Sequence, residues 1–225
     1  MPEIEAVTLD LDGTLVRYRR TPGEVLRTSY ERLGIEPLFS VEEYYARYDE
    51  FAAKHESMAA MRSDCFATLA AENGFDRDLG REVAAAFDEV RDQSNVERRP
   101  GVERVLDALA ETYRLGIVTN GTADAQRRKI DAAGLERWTD AVVVAGAQGA
   151  PKPAPDPFER ALTALEATPE MAVHVGDSLE TDVVGANRAG LDSAWLSDGT
   201  DPGAHEPTYR LDELGDLVPE PWLEE

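Results

Sequence analysis

A parallel α/β core carrying a small all-helical insert is the fold class that this sequence predicts, and three observations predict it. Short apolar runs recur along the chain, each leading into polar or glycine-rich residues, as strands of a buried parallel sheet do. From residue 100 onward these runs alternate with helical patterns in the order α-β-α-β-α-β-α-β. Between them and the first run, residues 16–99 are rich in helix formers, poor in β-branched residues and without a convincing strand.

Ala6 to Leu11 is the first strand, followed by the polar segment Asp10-Leu11-Asp12-Gly13-Thr14-Leu15. Helices are expected over Thr21 to Leu33, Val41 to Met58, Arg62 to Asn73 and Leu79 to Asn95, with Ser40 and Glu43 forming a capping box on the second. Pro100-Gly101 marks the return to the core. Strands then follow at Leu115 to Val118, Ala141 to Ala145, Ala172 to Val175 and Ser193 to Leu196. Helices over Val102 to Thr112, Ala123 to Ala133, Pro157 to Ala167 and Asp182 to Ala189 alternate with them and cover both faces of the sheet. Asp156 is placed to cap the third of these helices, with Pro157 in its first position and Glu159 completing a capping box. Gly134 and Gly190 mark helix ends.

Composition narrows the class of protein. The 225 residues are 42% apolar, enough for an ordinary buried core, and 45 Asp+Glu against 23 Lys+Arg give a formal charge of −22. Such a chain repels nucleic acid, which is not expected as a partner. Three lysines (Lys54, Lys129, Lys152) stand beside twenty arginines, and so acidic a surface suits a halophile, whose salt screens the self-repulsion. The single cysteine, Cys65, excludes an intrachain disulfide and reads as a small core residue. Pro2-Glu3-Ile4-Glu5 is no basic leader, and no apolar run approaches the roughly 18 residues of a membrane span, so a cytoplasmic protein without membrane partners is expected.

The chemistry collects where the strands end. In an open parallel sheet, ligands bind beyond the carboxyl ends of the strands. The residues there are Asp10-Leu11-Asp12-Gly13-Thr14, Thr119-Asn120-Gly121, Lys152-Pro153 and Gly176-Asp177-Ser178 with Asp182 beyond. A lone Asp-x-Asp-Gly would read as a turn. Complementary groups at successive strand ends read as a site: a nucleophile, a cation and several carboxylates. Asp10 and Asp12, two apart on an extended segment, would share a face while Leu11 points into the core. Thr119, just ahead of a helix, can cradle phosphate oxygens with the adjacent amides, Asn120 and Gly121 permitting close approach.

In this order and spacing the four segments resemble the signature motifs of the haloacid dehalogenase superfamily, over the whole chain. The resemblance implies a Rossmann-like core from residues 1–15 and 100–225 and a helical cap from residues 16–99, in the style of phosphoglycolate phosphatases and small nucleotidases. It implies Asp10 as the nucleophile that attacks phosphorus, Asp12 as the general acid and base, and Lys152 as the cation that stabilises charge on the transferring group. Thr119, Asn120, Gly121 and Lys152 would bind the phosphoryl group of a small phosphorylated metabolite. Mg²⁺ would be held by the Asp10 carboxylate, the Asp12 backbone carbonyl and the Asp177 carboxylate, with Asp182 in a supporting position.

Tyr18, Arg20, Tyr44, Tyr45, Arg47 and Arg62 are candidate leaving-group contacts from the insert. Other readings remain open at this level. A metal-independent 2-haloacid dehalogenase would share the nucleophile, but Asp12 stands where those enzymes resemble Asp-x-Tyr or Asp-x-Ser. A phosphonate hydrolase would need a cap lysine, and Lys54, four residues after Glu50, suits an exposed ion pair instead. A non-catalytic binding protein of the same fold would be expected to lack one of the motif residues. Monomer and homodimer are both compatible with the sequence.

Overall fold

The structure, a computed structural model, describes residues 3–52, 54–55, 57–146 and 149–223. The chain divides into two compact units, one formed by the segment up to Arg17 together with Val96 onward, the other by Tyr18–Asn95.

The first unit is built on a six-stranded sheet. β1 (Ala6–Leu9) lies inside it, and β2 (Val16–Tyr18) pairs with β3 (Val96–Arg98) in a separate two-stranded sheet. The large sheet continues with β4 (Arg114–Asn120), β5 (Ala141–Ala145), β6 (Ala172–Gly176), β7 (Asp192–Leu196) and β8 (Tyr209–Leu211). Its order is β5-β4-β1-β6-β7-β8, with every pair parallel. Ala6 registers with Arg114 on one side and Ala172 on the other, so the chain builds outward from β1 to one edge and then returns to build toward the opposite edge. That reversal leaves a crevice at the carboxyl ends of β1, β4 and β6. All four residues of β1 and all five of β6 are buried, as strands covered on both faces must be.

The helices of this unit are α5 (Val102–Ala110), α6 (Ala123–Ala133), α7 (Asp156–Ala164) and α8 (Val184–Ala189). α6 and α8 end on Gly134 and Gly190 in the left-handed conformation. The capping box expected at Asp156 does not form: the helix already includes Asp156, Pro155 takes the cap position, and no side chain caps it. The helix expected from Asp182 instead opens with a π-type turn, Leu179–Val183, capped by the Ser178 hydroxyl.

The second unit packs α1 (Pro22–Leu33), α2 (Val41–Ala52), α3 (Met58–Glu72) and α4 (Arg77–Val90) around an apolar cluster containing buried Cys65. Phe66 centres that cluster, edge-on to Phe39, Tyr44 and Phe87 at 4.8, 5.0 and 5.6 Å between ring centroids. Ser40 and Glu43 form the expected reciprocal cap, at 2.7 and 3.2 Å. The helix expected from Val41 to Met58 stops at Ala52 as described, because Ser57 caps a new helix through the amide of Ala60; residues 53 and 56 lie outside the described residues. α4 starts earlier than expected, on its Asp76 cap, and ends at Val90 rather than Asn95. A turn in which Asp92 accepts from the Ser94 amide follows it. β2 and β3 also fall within 16–99, where no strand is expected; three residues each are too few to show alternation. Lys54 pairs with Glu50 at 2.8 Å on the surface. No helix among the described residues is long and apolar enough to cross a membrane.

Candidate active site

Four loops of the first unit converge around Asp10. β1 ends at Leu9, so Asp10 follows directly at the strand's carboxyl end, its amide bonded to the carbonyl of Val175 on β6 (2.8 Å). Leu11 is fully buried, as its alternation with the two aspartates requires. Gly13 turns the chain at φ +87°, and a Cβ there would lie 2.2 Å from Asp177 Oδ2; the backbone conformation and the neighbouring carboxylate both require glycine. The Thr14 hydroxyl donates to Asp177 Oδ1 at 3.2 Å.

Lys152 sits at the centre of the charge balance. Its buried ammonium donates to Asp10 Oδ1 (2.6 Å), Asp182 Oδ1 (2.6 Å) and the Val118 carbonyl (2.8 Å). An ammonium has three hydrogens, and these three acceptors engage all of them. Burial pushes the Asp10 carboxyl up to about 7; Lys152 pulls against that shift, while Asp182 and Asp177 reinforce it. Burial opposes ionisation of Asp182 too, but Lys152, followed by His174, holds its carboxyl below the ordinary range. The Lys152 ammonium is disfavoured by burial and kept charged, above its ordinary range, by Asp10 and Asp182. Burial, then the Asp182 charge, raises Asp177.

Asp182 owes its place to the π-type turn, which bends its carboxylate back to accept from the Ser178 amide (3.0 Å). Gly176 makes room, since a Cβ there would lie 2.3 Å from the Asp182 side chain. His174 backs the same carboxylate, its Nε2 3.4 Å from Asp182 Oδ1 and its Nδ1 2.9 Å from the Thr8 hydroxyl. These neighbours place the proton on Nε2, and burial keeps the imidazole neutral by lowering its pKa.

Asp12 turns to a different cation. Lys129 Nζ, from α6, donates to both of its oxygens (2.8 and 2.7 Å), and Gln126 Nε2 donates to Oδ2 (2.9 Å). Gln126 also donates to Thr119 Oγ1 at 3.0 Å and to the Asn120 carbonyl. Thr122 caps α6 by accepting from the Ala125 amide. The Asn120 side chain is not turned to a ligand. Its Nδ2 donates to the Lys152 carbonyl (3.1 Å) and its Oδ1 accepts from the Lys152 amide (2.9 Å), locking the lysine loop to the end of β4.

Asp10, Thr119, Lys152, Asp177 and Asp182, expected at one edge of the sheet, share this neighbourhood, and Gln126, Lys129, His174, Thr14 and Ser178, to which the sequence assigns no part, join them. For Lys129 a signal existed, its rarity in a chain that otherwise uses arginine.

The donor set suits a hard divalent cation. Carboxylate oxygens of Asp10, Asp177 and Asp182 lie within 4.8 Å of one another, with no sulfur or imidazole among them. These three carboxyl groups gather around the single buried ammonium of Lys152, which leaves net negative charge for a cation to offset.

Known proteins resemble this chain in sequence and in fold. The phosphoserine phosphatase of Thermus thermophilus is 30% identical over 245 residues, covering 95% of this chain and 96% of the relative. The glyceraldehyde 3-phosphate phosphatase of Methanopyrus kandleri is 33% identical over 194 residues, covering 84% and 82%. Among solved structures, the magnesium-bound hydrolase YfnB of Bacillus subtilis superposes with a TM-score of 0.79 over 96% of this chain and 97% of that one; at 21% identity this likeness shows the fold. The model of the haloacid dehalogenase-like hydrolases matches residues 4–190. With that match over most of its length, the chain belongs to the haloacid dehalogenase-like hydrolase family.

Proposed function

We propose that this protein is a Mg²⁺-dependent phosphatase that hydrolyses a small phosphate monoester through an aspartyl-phosphate on Asp10. The observation that carries the reading is the pairing of two carboxylates with two separate buried ammonium groups, Asp10 with Lys152 and Asp12 with Lys129. Lys152 holds one oxygen of the first aspartate, and the second aspartate is kept apart from it on its own ammonium, for proton transfer. The named activities of the two phosphatase relatives support a phosphatase reading.

Lys152 anchors Asp10 Oδ1, which leaves Oδ2 to attack phosphorus. As that bond forms, the ester P–O bond breaks and Asp12 delivers its proton to the departing oxygen. Asp12, now a carboxylate, takes a proton from water; the resulting hydroxide attacks phosphorus, the bond to Asp10 breaks, and inorganic phosphate leaves. Thr119 and the amides of Asn120 and Gly121 hold the phosphoryl oxygens. When bound, Mg²⁺ would be held by Asp10, Asp177 and the Asp12 carbonyl, supported by Asp182, and would neutralise charge on the phosphoryl oxygens.

We assign the helical unit the part of a cap that selects the leaving group. Tyr44 and Arg62 are taken up by its own core, Arg62 against Asp88 and over the Phe87 ring, and Arg47 is held by Glu50 and Glu72. Of the six candidates, Arg20 and Tyr45 stay exposed.

The test is release of inorganic phosphate from a panel of small phosphate esters, with and without Mg²⁺, in salt of about 1 M to screen the acidic surface. Magnesium-dependent turnover is expected; a folded protein that turns over no ester, or turns one over equally well in chelator, contradicts the reading. Mg²⁺ binding should also depend on pH. Asp10 holds its proton up to about pH 7, and a cation must displace it. The rise in unfolding temperature on adding Mg²⁺ is therefore expected to be larger at about pH 8 than at about pH 5.5, and equal shifts would count against Asp10 as a ligand.

A further inference from the structure

Lysine survives in this chain at three positions, and two of them are buried on the Asp10-Leu11-Asp12 segment. Enclosing an ammonium is costly unless it is paired, and arginine, the cation used almost everywhere else here, is a wider planar fork. Lys152 has its part in the charge balance at Asp10. Lys129 has none so far, although its side chain is 6% exposed while the Asp12 side chain it holds is 38% exposed.

Gln126 and Lys129 stand three residues apart on α6 and so leave the same helix face. Together they place three donor contacts on one carboxylate, at 2.7 to 2.9 Å. Gln126 is held in an unfavourable state to do so. Its Nε2 has two hydrogens and faces three acceptors, Asp12, Thr119 and the Asn120 carbonyl, while its buried Oε1 has no hydrogen-bond partner among the described residues. An orphaned buried acceptor costs about 1–3 kcal/mol. Turning the amide over would set its oxygen against the Asp12 carboxylate and the Asn120 carbonyl, so the strain is tied to this contact set.

We propose that Lys129 and Gln126 are positioning residues that fix the Asp12 carboxyl for proton transfer and lock it in register with the phosphate-binding loop through Thr119 and Asn120. The proposal rests on the phosphatase reading, which gives Asp12 its proton to deliver. Misaligned, Asp12 would fail where the leaving oxygen needs that proton, as an alkoxide does, and matter little where it does not, as with nitrophenolate.

The experiment compares kcat/KM, which reports the steps up to release of the leaving group, for p-nitrophenyl phosphate and glycerol phosphate, in the full chain with Mg²⁺. The variants are Lys129→Met, Gln126→Leu and Lys129→Arg. Lys129→Met is expected to lower kcat/KM for the alkyl ester about 30- to 100-fold and for the aryl ester no more than about threefold. Gln126→Leu, which keeps the ion pair and guards against a Lys129→Met protein that does not fold, should show the same selectivity at smaller size, and Lys129→Arg should restore part of the loss. A loss equal for both esters, as a merely structural role gives, or no loss for either, overturns the proposal. A wild-type protein that hydrolyses neither ester nor any other on the panel overturns the phosphatase reading itself.

Discussion

Asp10→Asn is expected to abolish phosphate release, by on the order of 10⁴-fold or more, while the protein stays folded. The amide keeps the shape of the side chain and an oxygen for Lys152 to hold, but it cannot attack phosphorus. Stability should change with pH in the opposite sense to a damaged core. The Asp10 pKa of about 7 stands above its ordinary value of 3.8, so the folded protein holds a proton there that the unfolded chain has lost. Wild-type stability from this group is full below about pH 4 and drains away as pH rises to about 7. Asn does not titrate, and the metal-free variant should gain on the wild type in thermal unfolding as pH rises through that interval. A variant that retains more than a hundredth of the wild-type rate would remove Asp10 from the role of nucleophile.

Lys152→Met should be nearly as severe and should fail differently. It deletes the ammonium that Asp10 and Asp182 share, leaving buried carboxylates against one another and against Asp177. Turnover is expected to fall on the order of 10³-fold, the scale of losing a preorganised electrostatic contact. Breaking a buried pair from one side typically costs about 3–5 kcal/mol, and here the cost should be largest near pH 8 and smaller near pH 5, where the orphaned carboxyls can take up protons. Mg²⁺ should recover part of the stability without recovering the rate. Steady-state kinetics with thermal unfolding at the two pH values checks this; a rate within tenfold of wild type would show that the three ammonium contacts are structural.

The legible and illegible parts of this fold separate by the range of the interaction. Strands of the large sheet write themselves as apolar runs: Ala141 to Ala145, although an edge strand with Val142 exposed, is found with the expected bounds, and Ala6 onward differs only at its end. β2, β3 and β8, three residues each, carry no such signature and are fixed by their partners. Caps formed within one turn, Ser40 with Glu43, were readable, whereas the Asp156 cap was misplaced because proline at two adjoining turns suits either start.

The site follows the same division. Asp10 and Asp177 directly follow β1 and β6, and Lys152 lies in the connection after β5, so the topology directs them to one crevice. The part of α6 was hidden because a helix interior normally reads as packing: nothing in Gln126 and Lys129 as a spacing says that 114 and 117 residues back along the chain lies Asp12. The π-type turn that bends Asp182 onto Lys152, and the use of Asn120 as a clamp on the lysine backbone, are likewise products of tertiary placement.

The account stands on covalent chemistry at Asp10, and the most direct measurement is mass-spectrometric mapping of the protein quenched in acid during turnover of a phosphate ester with Mg²⁺. With p-nitrophenyl phosphate, whose leaving group needs no proton, the expected result is a phosphoryl group on the peptide containing Asp10, more abundant in Asp12→Asn, where water is not activated, and absent from Asp10→Asn. An active wild-type protein that carries no phosphoryl group in either form, or carries it on another residue, would contradict the account.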